Sequence, residues 1–216
     1  DVIFTSVEGV FHTPFQDAPL DLNVPELFFS QRHDLFEEHL SRIASASSRL
    51  PPLVSADREH DEHADAQPQT PEATVSGHGA EASARHDGRL QISLAALIQQ
   101  QWDTHGSMRC VGVRWDLCSV RDLQVFACGL TGPVLAALFR HMALDYGGRC
   151  SGLPDLCLWR EEPSLASRLV EVKGPRDRLS EKQCVWIDCL LKSGADVLLC
   201  KVKEEDGAEE EEEEEE

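Results

Sequence analysis

The last third of the chain alternates helices with short strands, and this order constrains the fold more than any other feature. Helical patterns cover residues 131–148 and 180–193, and short apolar strands cover 155–159, 169–173 and 195–202. Ser180 suits the N-cap of the second helix, Gln183 follows three residues later, and Gly194 suits its C-cap. The succession of helix, strand, strand, helix and strand predicts an α/β core around a small central sheet.

The first half of the chain has a weaker pattern. Residues 1–25 contain three prolines and are predicted to be extended or irregular. The spacing of apolar residues predicts an amphipathic helix over about 26–47. Residues 92–106 and 119–130 read as two further helices, and residues 108–115 between them read as a short strand. These elements would pack against the sheet of the C-terminal part.

Two polar segments carry most of the net charge of −19. Residues 51–89 contain eight acidic and three basic side chains and few large apolar ones, which predicts a disordered acidic insertion. Its four histidines are better explained as polar filler than as metal ligands. Residues 204–216 contain eleven acidic side chains and no basic one, as in a solvated disordered tail, although such a run could mimic nucleic acid or bind a basic partner.

Composition excludes several classes of protein. Residues 140–203 contain eleven Lys and Arg against nine Asp and Glu, so this part could accept a polyanion. The eight cysteines form no CxxC pair and most lie in apolar segments, which argues against zinc and against a secreted disulfide framework. No apolar run approaches the ~20 residues of a membrane span. The first residues do not resemble a signal peptide and read as the middle of a longer protein.

Three ionisable residues stand out on the first two strands. Asp155 opens the first strand, and Glu171 and Lys173 are two residues apart on the second, so their side chains share a face. Hairpin pairing would bring Asp155 beside Glu171. Val170 and Val172 would then point the other way, into the core.

Two carboxylates and an ammonium on apolar strands are costly unless something pairs them. A hard divalent cation such as Mg²⁺ or Mn²⁺ would do so, with the Val172 carbonyl as a further oxygen ligand. This combination indicates phosphodiester hydrolysis, in which Lys173 holds the attacking water or stabilises the transition state. The simpler alternative is a salt bridge between Glu171 and Lys173, with Asp155 capping a turn.

Other residues refine this hypothesis. The basic side chains of Arg176, Arg178 and Lys182 could hold flanking phosphates. No histidine follows His141, which excludes a histidine-metal nuclease or a Ser-His hydrolase built on the C-terminal segment. Gln183 could act beside the site or close a capping box with the helix cap. Trp186 suits core packing better than contact with a base.

The motifs GLPDLCLW, LVEVKGPRDRLSEKQCVWIDCLLKSGADVLLCKV and FQDAPLDL resemble the C-terminal nuclease domain of the Fanconi-anaemia-associated nucleases. These belong to the VRR-NUC branch of the PD-(D/E)xK superfamily. The resemblance implies a restriction-endonuclease-like core, with a small mixed sheet flanked by helices. It assigns residues 1–50 to the N-terminal part of the nuclease region and residues 90–203 to the VRR-NUC core. It also implies a nuclear, metal-dependent DNA nuclease with 5′-flap endonuclease and 5′-to-3′ exonuclease activity in interstrand crosslink repair.

Mapped residue by residue, Asp155, Glu171 and the Val172 carbonyl resemble the family's metal ligands, and Lys173 its catalytic lysine. The family also uses a Glu from a preceding helix, whose equivalent we expect before Asp1, with Glu37 or Glu38 as the alternative. If that ligand is missing, this chain should bind metal weakly and cleave poorly. It would then be a DNA-binding or scaffolding fragment whose protein partners bind upstream domains absent from this sequence.

Overall fold

The computed structural model describes residues 7–52 and 92–203, in which helices pack against a small sheet. The helices are α1 Pro25–Phe28, α2 His33–Ser45, α3 Leu94–His105, α4 Val120–Leu130, α5 Gly132–Leu144, α6 Tyr146–Arg149 and α7 Glu181–Lys192, and the strands are β1 Leu156–Arg160, β2 Ala166–Lys173 and β3 Val197–Lys201. The insertion and the tail predicted to be disordered, 51–89 and 204–216, fall almost entirely outside the described residues.

The sheet is mixed, as the sequence predicts. Its order is β1-β2-β3, with β1 antiparallel to the central strand β2 and β3 parallel to it. Val170 of β2 is the register partner of both Leu156 in β1 and Leu198 in β3. Because register partners point to the same side of a sheet, these three residues form an apolar row on one face.

The helices that carry the main core pack on the other face of the sheet. The Ser167 hydroxyl of β2 donates to the Phe126 carbonyl of α4 at 2.9 Å. Leu169, on the same face, joins the main core cluster with Trp186 and Leu190 of α7, which are almost fully buried. Val170 and Val172 point to the opposite face, as predicted, and Val170 is buried at 4% exposure, but neither belongs to this core cluster. Their side of the sheet leaves Leu156 and Leu198 nearly half exposed, and Glu171 lies on the helix-covered side.

Close packing of α4 on β2 depends on Gly129. A Cβ atom at this position would overlap the Ser167 hydroxyl and the backbone of Ala166. Helix and strand therefore approach to a distance that any larger residue would prevent.

The predicted helix over 26–47 is broken near its start. A 3₁₀ turn at Ser30–Arg32 separates α1 from α2, and the Ser30 hydroxyl donates to the Glu26 carbonyl one turn back at 2.5 Å. Arg32 is buried and bonds Asp21 at 2.6 Å, so the chain bends to bring its guanidinium inside. This buried ion pair outweighs the helical periodicity of the segment.

The strand predicted over 108–115 is wrong, because this segment forms turns and no strand. Ser107 and Gly112 have positive φ angles, which reverse the chain on either side of Met108. The Trp115 indole donates to the Met108 carbonyl at 2.8 Å and closes the loop on itself. The alternating apolar residues therefore have no partner strand.

No single helix in residues 7–52 and 92–203 is both long enough and apolar enough to cross a membrane. The helices α4 and α5 meet those criteria of length and composition only as a pair, and they are bent by 100° at their junction.

Candidate metal and phosphate site

The predicted site centres on Glu171, a carboxylate with no solvent exposure near the C-terminal end of the central strand β2. Its Oε1 atom accepts a hydrogen bond from the Gln183 amide at 2.5 Å and lies 2.6 Å from the Lys173 ammonium. Its Oε2 atom is buried and has no hydrogen-bond partner. A buried carboxylate oxygen without a partner is costly, so this atom is the clearest sign that the site takes a further ligand.

Lys173 lies on the same face of β2 as Glu171, as the two-residue spacing predicts, and its side chain is 11% exposed. The hydrogen bond to Glu171 is the main cause that raises the pKa of Lys173 above its ordinary value, and the negative charges of Asp155 and Asp177 add to the effect. Lys173 therefore stays protonated at neutral pH and places a fixed positive charge beside the carboxylates.

Asp155 reaches β2 through its side chain. Its Oδ2 atom accepts a hydrogen bond from the backbone N–H of Val172 at 2.8 Å. This contact lies just past the last β1–β2 pair, in which Leu156 is the register partner of Val170. The same register places Asp155 next to Glu171 on one face of the sheet. In an extended strand, N–H and C=O of one residue point the same way, so the Val172 carbonyl is directed to the Asp155 side. The structure thus gathers Asp155, Glu171, Val172 and Lys173 at one end of the sheet.

This arrangement fits a hard divalent cation only in part. Carboxylate and backbone carbonyl oxygens are the ligands that Mg²⁺ and Mn²⁺ prefer, and the unpaired Oε2 of Glu171 is such an oxygen. Within the described ranges, however, no group of three or more His, Cys, Asp or Glu side chains could hold a metal. Glu37 is bound to Arg140 at 2.5 and 2.7 Å and Glu38 is exposed, and neither belongs to such a group in the described ranges.

Gln183 both closes a capping box and contacts the site, two roles that the sequence left as alternatives. Its Oε1 accepts the backbone N–H of Ser180 at 2.9 Å, and the Ser180 hydroxyl accepts the Gln183 N–H, which closes a capping box at the start of α7. Its Nε2 donates to Glu171. One amide therefore ties the start of α7 to the buried carboxylate, and the geometry needs both a donor and an acceptor on that side chain.

The predicted phosphate contacts lie in the segment after β2 and in the first turn of α7. Arg176, Arg178 and Lys182 are all exposed, and Lys182 donates to the Ser151 hydroxyl at 3.3 Å. Asp177, which the sequence did not single out, accepts the backbone N–H of Gly174 at 3.1 Å and shapes the turn after β2. The G-P-R-D sequence is typical of such a turn and could have indicated this role.

Trp186 fixes α7 against the rest of the molecule. It is 1% exposed, and its indole N–H lies 3.1 Å from the Arg149 carbonyl and 3.2 Å from the Ser151 carbonyl. The His141 ring packs on it edge to face, with ring centroids 4.4 Å apart. Core packing of Trp186, as favoured by the sequence, is confirmed, and it holds Gln183 in place through the helix.

Acidification should loosen this anchor. Burial, with a smaller contribution from the Arg149 charge, lowers the pKa of His141 below its ordinary value. A His with a lowered folded pKa favours unfolding as pH falls from the unfolded pKa of about 6.5 through the folded pKa. We expect the melting temperature of the wild type to fall more between pH 7.5 and 5.5 than that of His141→Phe. Parallel curves would contradict this, and His33→Phe, at an exposed position, is the control.

Comparison with known proteins places this geometry in a family. The model of the VRR-NUC domain matches residues 91–204. The Fanconi-associated nuclease 1 homolog of Oryza sativa subsp. japonica is 37% identical over 205 residues, covering 94% of this chain and 16% of that protein. Fanconi-associated nuclease 1 of Homo sapiens is 41% identical over 124 residues, covering 54% of this chain and 12% of that protein. The chain thus spans less than a fifth of the length of these relatives.

A solved structure shares the fold. A crystal structure of paFAN1 bound to a 1-nucleotide 5′-flap DNA with a gap superposes with a TM-score of 0.64 at 25% identity, covering 95% of this chain and 29% of that one. The restriction-endonuclease-like α/β core predicted from the sequence is confirmed by this match. With the family model covering more than half of the sequence, this chain belongs to the VRR-NUC family.

Proposed function

We propose that this chain is the core of a metal-dependent, structure-selective DNA nuclease. The activity would be 5′-flap endonuclease and 5′-to-3′ exonuclease cleavage of phosphodiesters, in the nucleus, during interstrand crosslink repair. The observation that carries the proposal is the buried Glu171 carboxylate, with one oxygen unpaired and the other held by Lys173 and Gln183. A purely structural salt bridge would leave no reason to bury the unpaired oxygen.

The proposed metal ligands are Asp155, Glu171 and the Val172 carbonyl, which would hold Mg²⁺ or Mn²⁺. A bound divalent cation supplies two things here, since it neutralises charge on the phosphate and lowers the pKa of a bound water. Its binding would also remove the cost of the unpaired Glu171 oxygen.

The chain's own residues supply the rest of the chemistry. Gln183 fixes the orientation of the Glu171 carboxylate, and the Val172 N–H fixes that of Asp155. The Lys173 ammonium is already protonated and aimed at the carboxylates, so it can hold a water or stabilise charge on the phosphate without reorganising. Basic side chains in the turn after β2 and at the start of α7 would hold flanking phosphates: Arg176, Arg178 and Lys182.

The proposal that the substrate is DNA is supported by the relatives. The solved neighbours are nucleases bound to 5′-flap DNA, and the matched part of this chain includes the proposed metal and phosphate residues. Further protein partners would bind other domains of a longer protein. Within the chain, we assign residues 1–50 to the N-terminal part of the nuclease region and 90–203 to its catalytic core.

One observation favours a second candidate, a DNA-binding or scaffolding fragment. The described residues contain no group of three or more His, Cys, Asp or Glu side chains placed to hold one metal ion. Without a third carboxylate, metal affinity and cleavage should both be weak, whereas DNA binding through the basic side chains would remain. Fast Mg²⁺-dependent cutting by the 216-residue chain would exclude this candidate.

Single-turnover cleavage of a labelled 5′-flap duplex tests the proposal. We expect slow cleavage in Mn²⁺, none in EDTA, and at least about tenfold slower cleavage by Asp155→Asn, which keeps an oxygen for the Val172 N–H but loses the charge that a metal needs. The matched control is Asp188→Asn, which removes an exposed carboxylate from the outer side of α7. Equal cleavage by wild type and Asp155→Asn would remove this site from the reaction.

A further inference from the structure

One end of the sheet concentrates basic side chains. Lys173 and Lys201 are register partners in β2 and β3, and the Val202 N–H donates to the Lys173 carbonyl at 2.9 Å, which extends the pairing towards Lys203. We call this region the basic end of the sheet, and it comprises Lys173, Arg176, Arg178, Lys182, Lys201 and Lys203.

Four acidic side chains lie at this end, two fewer than the basic ones. Glu171 is fully buried and paired with Lys173, and Asp155 and Asp177 accept the backbone N–H groups of Val172 and Gly174. The fourth, Glu181, is exposed in the first turn of α7. Arg176, Arg178, Lys182, Lys201 and Lys203 are exposed, and none of them takes part in an ion pair of the described residues at 4.0 Å or less. The basic end of the sheet therefore offers charges that are free to bind an anionic chain.

The chain itself carries such a polyanion directly next to this surface. Residues 204–216 follow Lys203 without a spacer and contain eleven carboxylates, eight of them in the unbroken run 209–216. Thirteen residues can span at most about 45 Å, which is more than the ~18 Å length of a 12-residue helix such as α7. The acidic run is therefore long enough to reach across this end of the sheet.

We propose that residues 204–216 bind the basic end of the sheet when no DNA is present, and that DNA phosphates must displace them. Attachment at Lys203 makes this contact intramolecular, so even weak ion pairs act at a high effective concentration. The contact would select against weakly bound duplex and would fade as salt rises. The competition with DNA rests on the proposed function, whereas the contact between the acidic run and the surface does not.

Zero-length carbodiimide cross-linking of the full chain tests the contact without DNA. Mass spectrometry should find tail carboxylates joined to Lys182 and Lys201 at low salt and far less at about 0.5 M salt. Lys192 is the internal control, because it is exposed at the opposite end of α7 from Lys182. Cross-links spread equally over Lys182, Lys201 and Lys192, or confined to Lys203 next to the tail, would overturn the proposal.

Fluorescence anisotropy with a labelled 5′-flap duplex in EDTA tests the competition. We expect the chain truncated after Lys203 to bind about tenfold more tightly than the full chain at about 50 mM salt, with the difference lost at about 300 mM. A full-length variant with Glu209→Gln through Glu216→Gln should bind like the truncated chain. This variant distinguishes the negative charge of the tail from its steric bulk. Equal affinities at every salt concentration would refute the competition. If no form bound DNA, the proposed nuclease function would fail, and the cross-links would still decide the contact.

Discussion

Lys173→Met should slow cleavage of a 5′-flap duplex by at least about 100-fold, because the fixed ammonium beside Glu171 is lost. Methionine keeps most of the length and the apolar stem of lysine, so packing on β2 changes little. Metal binding should not weaken in parallel, since removing the ammonium frees the Glu171 carboxylate of a competing cation. Single-turnover rates and Mn²⁺ binding measured by calorimetry separate the two effects.

The matched control is Lys192→Met, which removes an exposed lysine paired with Asp188 on the outer side of α7. It should leave both rate and metal affinity unchanged, because exposed ion pairs contribute little. Cleavage by Lys173→Met within about threefold of the wild type would show that this ammonium takes no part in the reaction. A parallel loss of metal affinity would instead make Lys173 a structural support of the metal ligands.

The arrangement of the site follows from simple rules of strand geometry. Alternation along β2 places Glu171 and Lys173 on one face, and hairpin pairing brings Asp155 alongside, so these juxtapositions were predictable. Which face of the sheet the core helices cover was not predictable, because the apolar side chains of Val170 and Val172 lie on the face opposite to Leu169 and Glu171. The face that is covered is decided by where α4 and α7 pack on the sheet. Their packing depends on Gly129 and Trp186, which lie outside the strands.

Specific side-chain hydrogen bonds explain the other differences. Sequence patterns treat Arg32 as a solvent-facing residue of a helix, but its bond to Asp21 at 2.6 Å breaks that helix. Similarly, the indole of Trp115 bonds the Met108 carbonyl and closes a loop where alternating apolar residues suggest a strand. Periodicity of apolar residues does not contain this information, since each contact depends on the polar atoms of one side chain and on the bend that brings them to their partner.

Gln183→Leu should slow cleavage by about 10-fold and destabilise the protein, because it removes the amide that orients Glu171 together with Lys173. Loss of a hydrogen bond to a buried charge should lower the free energy of unfolding by about 1–3 kcal/mol. The loss of the capping box adds to this destabilisation, so a comparison variant must lose a cap without touching the site. Urea unfolding and single-turnover cleavage measure the two consequences.

A helix cap that does not touch the site is found at the start of α4. Ser119 and Asp122 form a capping box of the same design, and Asp122 has no contact with Glu171. Asp122→Leu should therefore destabilise its helix and leave the cleavage rate unchanged. Gln183→Glu gives the complementary case, because it preserves the cap but replaces the donor by a second carboxylate against Glu171, so cleavage should fall with the cap intact. If Gln183→Leu and Asp122→Leu affect stability and rate equally, Gln183 is a helix cap alone and Glu171 is positioned by Lys173.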